Sequence, residues 1–176
     1  MQDVNGPLNI KEIAGILQST PVALRELLTQ LPDRMTNWHS APGKWCIREV
    51  VGHLTEEDKR DFAGRIRTML EADEPRLAVN NQDEVARMRQ DCVKNLGALL
   101  DEFKSMRSTS VEMVLNLKET DLQRGGIRPR MGRIQVVDVL HEWAYHDLNH
   151  IRQIGANVQR ILWANFGNIQ PFYDPC

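Results

Sequence analysis

The longest stretch of unbroken helical periodicity in this chain runs from Gln135 to Ala164 and contains no proline. Apolar residues recur there at spacings of three and four, which is the pattern of a helix that buries one face. The main aliphatic line, predicted to face the core, consists of Val137, Leu140, Ala144, Leu148, Ile151, Gly155, Val158 and Leu162. A second, narrower apolar line consists of Trp143, Ile154 and Ile161. A chain with such a helix is expected to build its core from packed helices.

Two histidines lie four residues apart in this stretch and border the second apolar line. His146 and His150 share one face of the predicted helix, where two imidazoles can bind one metal ion together. Glu142 lies one turn before His146 and could hydrogen-bond an imidazole ring, whereas His141 points towards the aliphatic line. Histidine pairs of this kind are also common as solvated or hydrogen-bonded residues, so the pair alone does not define a metal site.

The composition suits one globular domain, and we expect residues 1–176 to form a single one. The chain has 41% hydrophobic residues and a formal net charge of −2, a balance that disfavours a general nucleic-acid binder. It contains no apolar run long enough to span a membrane and no secretory signal pattern. Cys46, Cys92 and Cys176 are odd in number and far apart, which fits a reducing compartment. We therefore expect a cytoplasmic protein that binds neither nucleic acid nor membrane.

Two further helices are predicted in the first half of the chain. Residues 9–31 have helical apolar spacing, but Thr20 and the proline after it interrupt the run, so the segment forms either two short helices or one kinked helix. The next helix begins after Cys46, with Cys46 and Glu49 in the two positions of a capping box. Its apolar face continues until Pro75 ends the helix.

A fourth helical segment is predicted from about Gln82 to Leu115, with a possible break at the Ser-Thr-Ser sequence 108–110. Residues 120–132 are rich in glycine and proline and are predicted to form a loop. We see no strand with convincing alternation of apolar and polar residues. Four long helices joined by loops indicate an all-α protein with the architecture of a four-helix bundle.

The predicted loop before the last helix carries four arginines: Arg124, Arg128, Arg130 and Arg133. They could receive an anionic substrate, although a flexible, solvated loop is the simpler interpretation. Cys46 also has two interpretations. At a helix N-terminus its thiol could be a reactive nucleophile, or it could serve only as a weak cap.

His53 is the candidate for a third metal ligand. It lies in the helix that follows Cys46, with Glu49 and Glu57 one turn away on either side. It is either a polar residue at the rim of the bundle or a ligand that converges with His146 and His150 from a facing helix, as in known bundle metal sites. Three neutral imidazoles would leave at least one coordination position open, the arrangement of a catalytic site.

Two sequence motifs resemble the signatures of one family. The segment from Ala41 to Leu54, APGKWCIREVVGHL, resembles the PGKWS-x-x-E-x-x-x-HL signature of the DinB-like (DinB/YfiT) superfamily. The segment from Trp143 to Ile154 is similar to its second signature, W-x-x-HD-x-x-H-x-x-QI. The resemblance covers nearly the whole chain.

The resemblance implies a four-helix bundle of the up-down-down-up type with one long crossover connection. It implies that His53, His146 and His150 bind a divalent metal ion, zinc or nickel, although imidazole ligands alone also suit iron and copper. It further implies an enzyme that acts on a small electrophile, either a thiol-dependent S-transferase that uses a low-molecular-weight thiol or a hydrolase. A homodimer is expected, because many members of the superfamily are dimers.

Three acidic residues are candidates to hydrogen-bond the predicted ligands: Glu57, Glu142 and Asp147. Each could instead be a solvated carboxylate on a helix face. The alternative function that we consider is a non-catalytic metal-binding protein of the stress response. A DNA-binding stress protein is disfavoured by the net charge.

Overall fold

The computed structural model describes residues 6–173, which are helical apart from one short hairpin. Ile47 to Glu71 form one continuous helix, in which a π-helical segment, Glu57–Phe62, joins two α-helical parts. Within the described residues no helix is long and apolar enough to cross a membrane. The elements are α1 (Ile10–Leu28), α2 (Asp33–Thr36), α3 (Ile47–Glu56), α4 (Ala63–Glu71), α5 (Gln82–Arg89), α6 (Leu96–Leu115), β1 (Gly125–Arg128), β2 (Gly132–Gln135) and α7 (Val136–Trp163).

Hydrogen bonds between the long helices define their directions. α1 and α7 run parallel to each other, and both run antiparallel to α6 and to the continuous helix of α3 and α4. The bonded pairs that establish this are Arg25–Asp101, Arg107–Leu17, Asn157–Trp45, Trp143–Asp58, Thr20–Asp147 and Leu8–His141. The bundle is therefore up-down-down-up, as predicted, and residues 72–95 form the long crossover between the two adjacent "down" helices.

α1 is a single helix that continues through Pro21, so the alternative of two short helices is wrong. Proline has no backbone N–H, which leaves the carbonyl of Leu17 without its usual partner inside the helix. The guanidinium of Arg107 in α6 donates to that carbonyl at 2.8 Å. A helix bond lost to proline is thus replaced by a bond to another helix.

The prediction of one helix over residues 82–115 is wrong. The chain leaves the helix at Gln90, which has a left-handed backbone with φ of 51°, and α6 begins only after Asn95. The Asn95 side chain caps α6 by accepting the backbone N–H three residues further on, at 3.0 Å. The break predicted at 108–110 is absent, because hydroxyl groups there bond back to carbonyls of the preceding turn and leave the helix intact.

The loop predicted at residues 120–132 contains most of a two-stranded antiparallel hairpin, β1 and β2. The crossover is attached to its first strand: the N–H of Ile127 donates to Pro75 at 2.8 Å, and its carbonyl accepts from Leu77 at 3.0 Å. Each strand has only four residues, too few for an alternating pattern to be recognised in the sequence. The hairpin leads directly into α7 and fixes where that helix starts.

The face of α7 that packs into the core differs from the predicted one. Leu148 and Leu162, both assigned to the main aliphatic line, are 53% and 54% exposed. The buried residues are Val136, Val139, Leu140, Trp143, Ala144, Asp147, His150, Ile154 and Asn157. The core face is therefore the one that carries His150, and its middle is polar.

This polar level separates two apolar clusters that fill the two ends of the bundle. One cluster includes Leu17, Phe62 and Val111, and the other includes Leu24 and Leu54. Buried polar side chains occupy the level between them on every long helix: Thr20, Asp58, Asp61, Arg107, Ser110, Asp147 and His150. The core is thus two apolar ends around a polar centre.

Arg107 is at the centre of this polar level, and all five of its N–H groups have acceptors. It forms two bonds of 2.8 Å with Asp58 and two bonds with Asp147, one of them at 2.9 Å, besides the bond to Leu17. The Thr20 hydroxyl donates to Asp147 at 2.6 Å. One guanidinium therefore connects four helical segments of the bundle.

We expect Arg107→Met to lower the free energy of unfolding by about 3–5 kcal/mol, because it leaves two buried carboxylates without their counter-charge. The measurement is urea denaturation followed by circular dichroism. Arg25→Met is the matched control, since Arg25 forms an ion pair with Asp101, whose side chain is 74% exposed, and such pairs contribute at most about 1 kcal/mol. Equal losses in the two variants would contradict the central role of Arg107.

Gly52 allows the crossover to pack closely against α3. A Cβ atom at this position would overlap the buried carboxylate of Asp91. That carboxylate pairs with Arg89 at 2.6 Å and with Lys94 at 2.8 Å, and Arg89 also pairs with Glu56 of α3 at 2.8 Å. The crossover is therefore held against α3 by buried and half-buried ion pairs.

We expect Gly52→Ala to lower the free energy of unfolding by about 1–3 kcal/mol, because the new methyl group displaces the Asp91 carboxylate from its ion pairs. Gly15→Ala in α1 is the control, since a Cβ there meets no described atom within 4 Å. Alanine should raise stability at that site by about 0.5–1 kcal/mol. Thermal or urea unfolding measures both changes, and a neutral or stabilising Gly52→Ala would show that the crossover adapts without cost.

Candidate metal centre

Three histidines from two antiparallel helices meet on one side of the polar level. His53 is on α3, and His146 and His150 are one turn apart on α7. Their Nε2 atoms form a triangle: 3.2 Å from His53 to His146, 3.1 Å from His53 to His150, and 3.0 Å from His146 to His150. The structure thus brings together the three histidines that the sequence selected.

The hydrogen bonds of the rings show which nitrogen faces the centre of this triangle. Nδ1 of His150 lies 2.7 Å from the side-chain oxygen of Gln153. An amide oxygen only accepts, so Nδ1 carries the proton and Nε2 presents its lone pair. Nδ1 of His53 lies 3.7 Å from Glu57, and Nδ1 of His146 is buried without a partner among the described residues.

Three ring nitrogens that converge at such short distances form a ready set of donors for one cation. Metal–imidazole bonds are about 2.0–2.1 Å long, so one ion above the triangle can reach all three Nε2 atoms. Burial lowers the pKa of His53 to about 3 and that of His146 to about 2, and it also lowers the pKa of His150. All three rings are therefore neutral near pH 7, which is the form that binds a metal.

Aromatic rings enclose the cluster on two sides. The Trp45 ring lies 4.8 Å from that of His53, and the Phe62 ring meets His146 edge-on at 5.0 Å. Phe62 also stacks on Trp143 at 5.2 Å. These apolar walls exclude water and limit the positions that each imidazole can adopt.

The π-helical segment that follows α3 was not predicted, and it shapes the acidic wall of the site. Its wider turn brings four of its six residues inward: Glu57, Asp58, Asp61 and Phe62. Burial, together with the charge of Asp61, raises the pKa of Glu57 to about 8. Glu57 is therefore a buried group beside His53 and not a solvated carboxylate.

The other two acidic candidates bond to arginines. Glu142 pairs with Arg128 at 2.9 and 3.1 Å and keeps a side-chain exposure of 41%. Asp147 is fully buried and belongs to the Arg107 network, so its interpretation as a solvated carboxylate is wrong. It contributes to the centre indirectly, by fixing the part of α7 that carries the histidine pair.

Three of the four arginines before α7 bond to separate neighbouring groups and do not gather into one anion site. Arg124 donates to two carbonyls at the end of α4. That helix ends at Glu71, four residues before Pro75, where the sequence predicted its end. Arg133 pairs with Glu74 at 2.9 Å, and Arg128 pairs with a carboxylate of α7. Three of the four predicted arginines thus connect the hairpin to neighbouring elements.

A small, mostly polar pocket lies beside His53. Its walls come from α3, the π-helical segment and α5, so the crossover covers one side of the centre. Its polar lining residues are His53, Glu56, Glu57, Arg60, Asp61, Asn80, Gln82 and Arg89. The pocket therefore places polar side chains of α3, the π-helical segment and the crossover beside the histidine cluster.

Residues 16–154 match the family model described as the DinB superfamily. The chain belongs to the DinB superfamily. Two bacterial relatives in the comparison are provisionally named metal-dependent hydrolases. The protein from Bacillus licheniformis is 26% identical over 155 residues, with 85% of each chain covered. The protein from Oceanobacillus iheyensis is 20% identical over 154 residues, with 88% of each chain covered.

A solved structure with the same fold is that of YfiT from Bacillus subtilis, described as "a probable metal-dependent hydrolase with an unusual four-helix bundle topology". It matches with a TM-score of 0.80 over 92% of this chain and 93% of YfiT, at 16% sequence identity. At that identity the likeness establishes the bundle fold.

Gln153 is part of the second family motif, and no role was predicted for it from the sequence. Its side chain orients His150 from one turn away on the same helix. A glutamine three residues after a candidate ligand could have suggested this bond, since side chains at that spacing are neighbours. By contrast, no local signal connects Asp58 with Arg107, which lie 49 residues apart.

We expect Gln153→Leu to weaken metal binding by about 10- to 100-fold, because His150 loses the acceptor that fixes its ring orientation. Competition with a chromophoric chelator measures the affinity. Gln159→Leu makes the same change at an exposed position of α7 and should leave the affinity unchanged. An unaltered affinity in Gln153→Leu would show that the bond is not needed for binding.

Proposed function

We propose that this protein is a divalent-metal-dependent enzyme in which His53, His146 and His150 hold the ion. Its reaction is hydrolysis of a small electrophile or transfer of a low-molecular-weight thiol to one. The observation that carries the proposal is the convergence of three Nε2 atoms, which lie 3.0–3.2 Å from one another. Zinc or nickel is the proposed ion, because both accept imidazole ligands.

A divalent ion in this position supplies a Lewis acid that lowers the pKa of water or of a thiol and so generates a nucleophile at neutral pH. The protein contributes the geometry. Its three ligands approach from two helices, which leaves the opposite side open to a reactant. The bond from His150 to Gln153 holds one ligand ring in the orientation that it needs.

The pocket beside His53 favours a small polar substrate. Eight of its ten lining residues are polar or charged, so it suits polar groups better than apolar ones. Carboxylates and guanidinium groups both line it, among them Glu57 and Arg60. Glu57 places an oxygen 3.7 Å from Nδ1 of His53, where it can steady that ring and contact a bound substrate.

Hydrolysis has the more direct support of the two reactions. The relatives from Bacillus licheniformis and Oceanobacillus iheyensis carry hydrolase names, and YfiT is described in the same terms. Thiol transfer needs the same ion and the same open side, and differs only in the nucleophile. The two reactions are therefore best separated by assay.

Metal-loaded protein is expected to hydrolyse aryl esters or to consume a small thiol in the presence of a model electrophile such as an activated haloarene. His150→Ala should lose one equivalent of bound metal per chain by elemental analysis, and its rate should fall to that of the uncatalysed reaction. His141→Ala is the control, because His141 bonds to the backbone of Val137 and Leu8 and not to the cluster.

Two results would overturn the proposal. Full retention of metal by His150→Ala would exclude the cluster as the metal site. Alternatively, metal-loaded protein that is inert towards both classes of reactant would favour the non-catalytic metal-binding function.

A further inference from the structure

A second cluster of potential metal ligands lies at the N-terminus of α3, about two helical turns from His53. It consists of Cys46, Cys92, His39 and Glu49, whose ligand atoms all lie within 4.8 Å of one another. The four residues come from the loop before α3, from α3 and its cap, and from the turn before α6. None of them belongs to the three-histidine cluster.

We propose that these four residues form a second, independent metal site that binds one zinc ion. Two thiolates, one imidazole and one carboxylate are borderline-soft and hard donors in a combination that suits zinc. Four protein ligands fill a tetrahedral coordination sphere, so this site has a structural role. The three-histidine cluster has only three protein ligands, so an ion there would keep a coordination position open to a reactant.

The ligand atoms are already close to the required positions. Nε2 of His39 lies 2.9 Å from Glu49, and the same carboxylate oxygen accepts the Cys46 backbone N–H at 2.7 Å. The sulfur atoms of Cys46 and Cys92 lie within 4.8 Å of each other, and the Cys92 thiol donates to the carbonyl of Asn37 at 3.3 Å. Tetrahedral zinc ligands with bonds of about 2.0–2.3 Å lie roughly 3.3–3.8 Å apart, so side-chain rotations are enough to enclose an ion.

Arg48 fixes the backbone around this cluster. Its buried guanidinium donates to the carbonyl of Lys94 at 2.8 Å and to the Thr36 hydroxyl at 3.0 Å, and it pairs with Asp33 at 2.8 Å. These contacts join the segment before His39, the start of α3 and the turn that carries Cys92. The ligands are therefore placed by protein bonds that do not depend on an ion, which favours metal binding.

The Cys46 sulfur lies at the N-terminus of α3, where one backbone N–H points to it. The sulfur accepts the backbone N–H of Glu49 at the positive end of the α3 dipole. Burial raises the pKa of Cys46, so the metal-free protein holds a thiol, and an ion must displace its proton on binding. His39 and Glu49 line an open groove of about 510 Å³, which provides an entry route.

The test uses full-length protein with His53→Ala and His150→Ala, so that the three-histidine cluster no longer competes for metal. Cobalt(II), added under reducing and anaerobic conditions, is the probe. We expect one equivalent to bind per chain, with sulfur-to-cobalt charge-transfer absorption and the strong visible bands of a tetrahedral ion. Zinc-loaded protein should show two sulfur neighbours at about 2.3 Å by X-ray absorption.

Single substitutions then assign the ligands. Cys46→Ser and Cys92→Ser should each reduce the sulfur band and weaken binding by more than about 100-fold, since even a residue that only orients a ligand contributes 10- to 100-fold. Cys46→Ser keeps a good helix cap, so its fold should persist, which circular dichroism checks. Cys176→Ser is the matched control and should change neither quantity.

The proposal is overturned if cobalt gives no sulfur band, if the band survives either serine substitution at 46 or 92, or if Cys176→Ser removes it. It is also overturned if Cys46 and Cys92 are recovered as a disulfide under the same conditions, by a mass decrease of two hydrogens. Because the three-histidine cluster is absent from the test protein, these outcomes do not depend on the proposed enzymatic function.

Discussion

The buried ion pairs of Arg107 with Asp58 and Asp147 determine how the four long helices lie against one another. Removing an arginine and two carboxylates from water costs several kcal/mol per ion, so the arrangement is favourable only because every donor of the guanidinium finds an acceptor. Apolar contacts alone would tolerate some sliding of one helix along another. Directional bonds from one guanidinium to Leu17, Asp58 and Asp147 fix the axial position of each helix. His146 directly precedes Asp147, so the same bonds set the level at which the histidines meet.

The Arg107 ion pairs also affect the shape of the pocket beside His53. Asp58 reaches Arg107 from a π-helical turn, and that wider turn also brings Glu57 and Asp61 inward beside His53. On the other side, the crossover packs against Gly52 and supplies Arg89 to the pocket wall. The residues that stabilise the fold and those that surround the candidate centre are therefore neighbours in the same short segments.

α3 connects two candidate metal sites of different chemistry. His53 contributes to three imidazoles with one open side, which is the basis of the proposed enzymatic function. Cys46 and Glu49, at the N-terminus of the same helix, belong to the proposed sulfur-containing site, where four ligands leave no position for a reactant. If both proposals hold, the second ion would strengthen the end of the helix that positions the first, although no ligand is shared.

The helical character of the chain and the start of α3 could be predicted from the sequence alone, because apolar spacing and the capping box of Cys46 and Glu49 are local properties. The sequence also selected the three histidines, through the four-residue spacing of His146 and His150 and the motifs around them. Only the tertiary structure decided which face of α7 is buried, where the helix before α6 ends, and that Cys92 lies beside Cys46. The physical reason is that a buried polar group is stable only with partners, and those of Asp147 are Thr20 of α1 and Arg107 of α6. A count of apolar residues along one helix therefore assigned Leu148 to the core in place of Asp147.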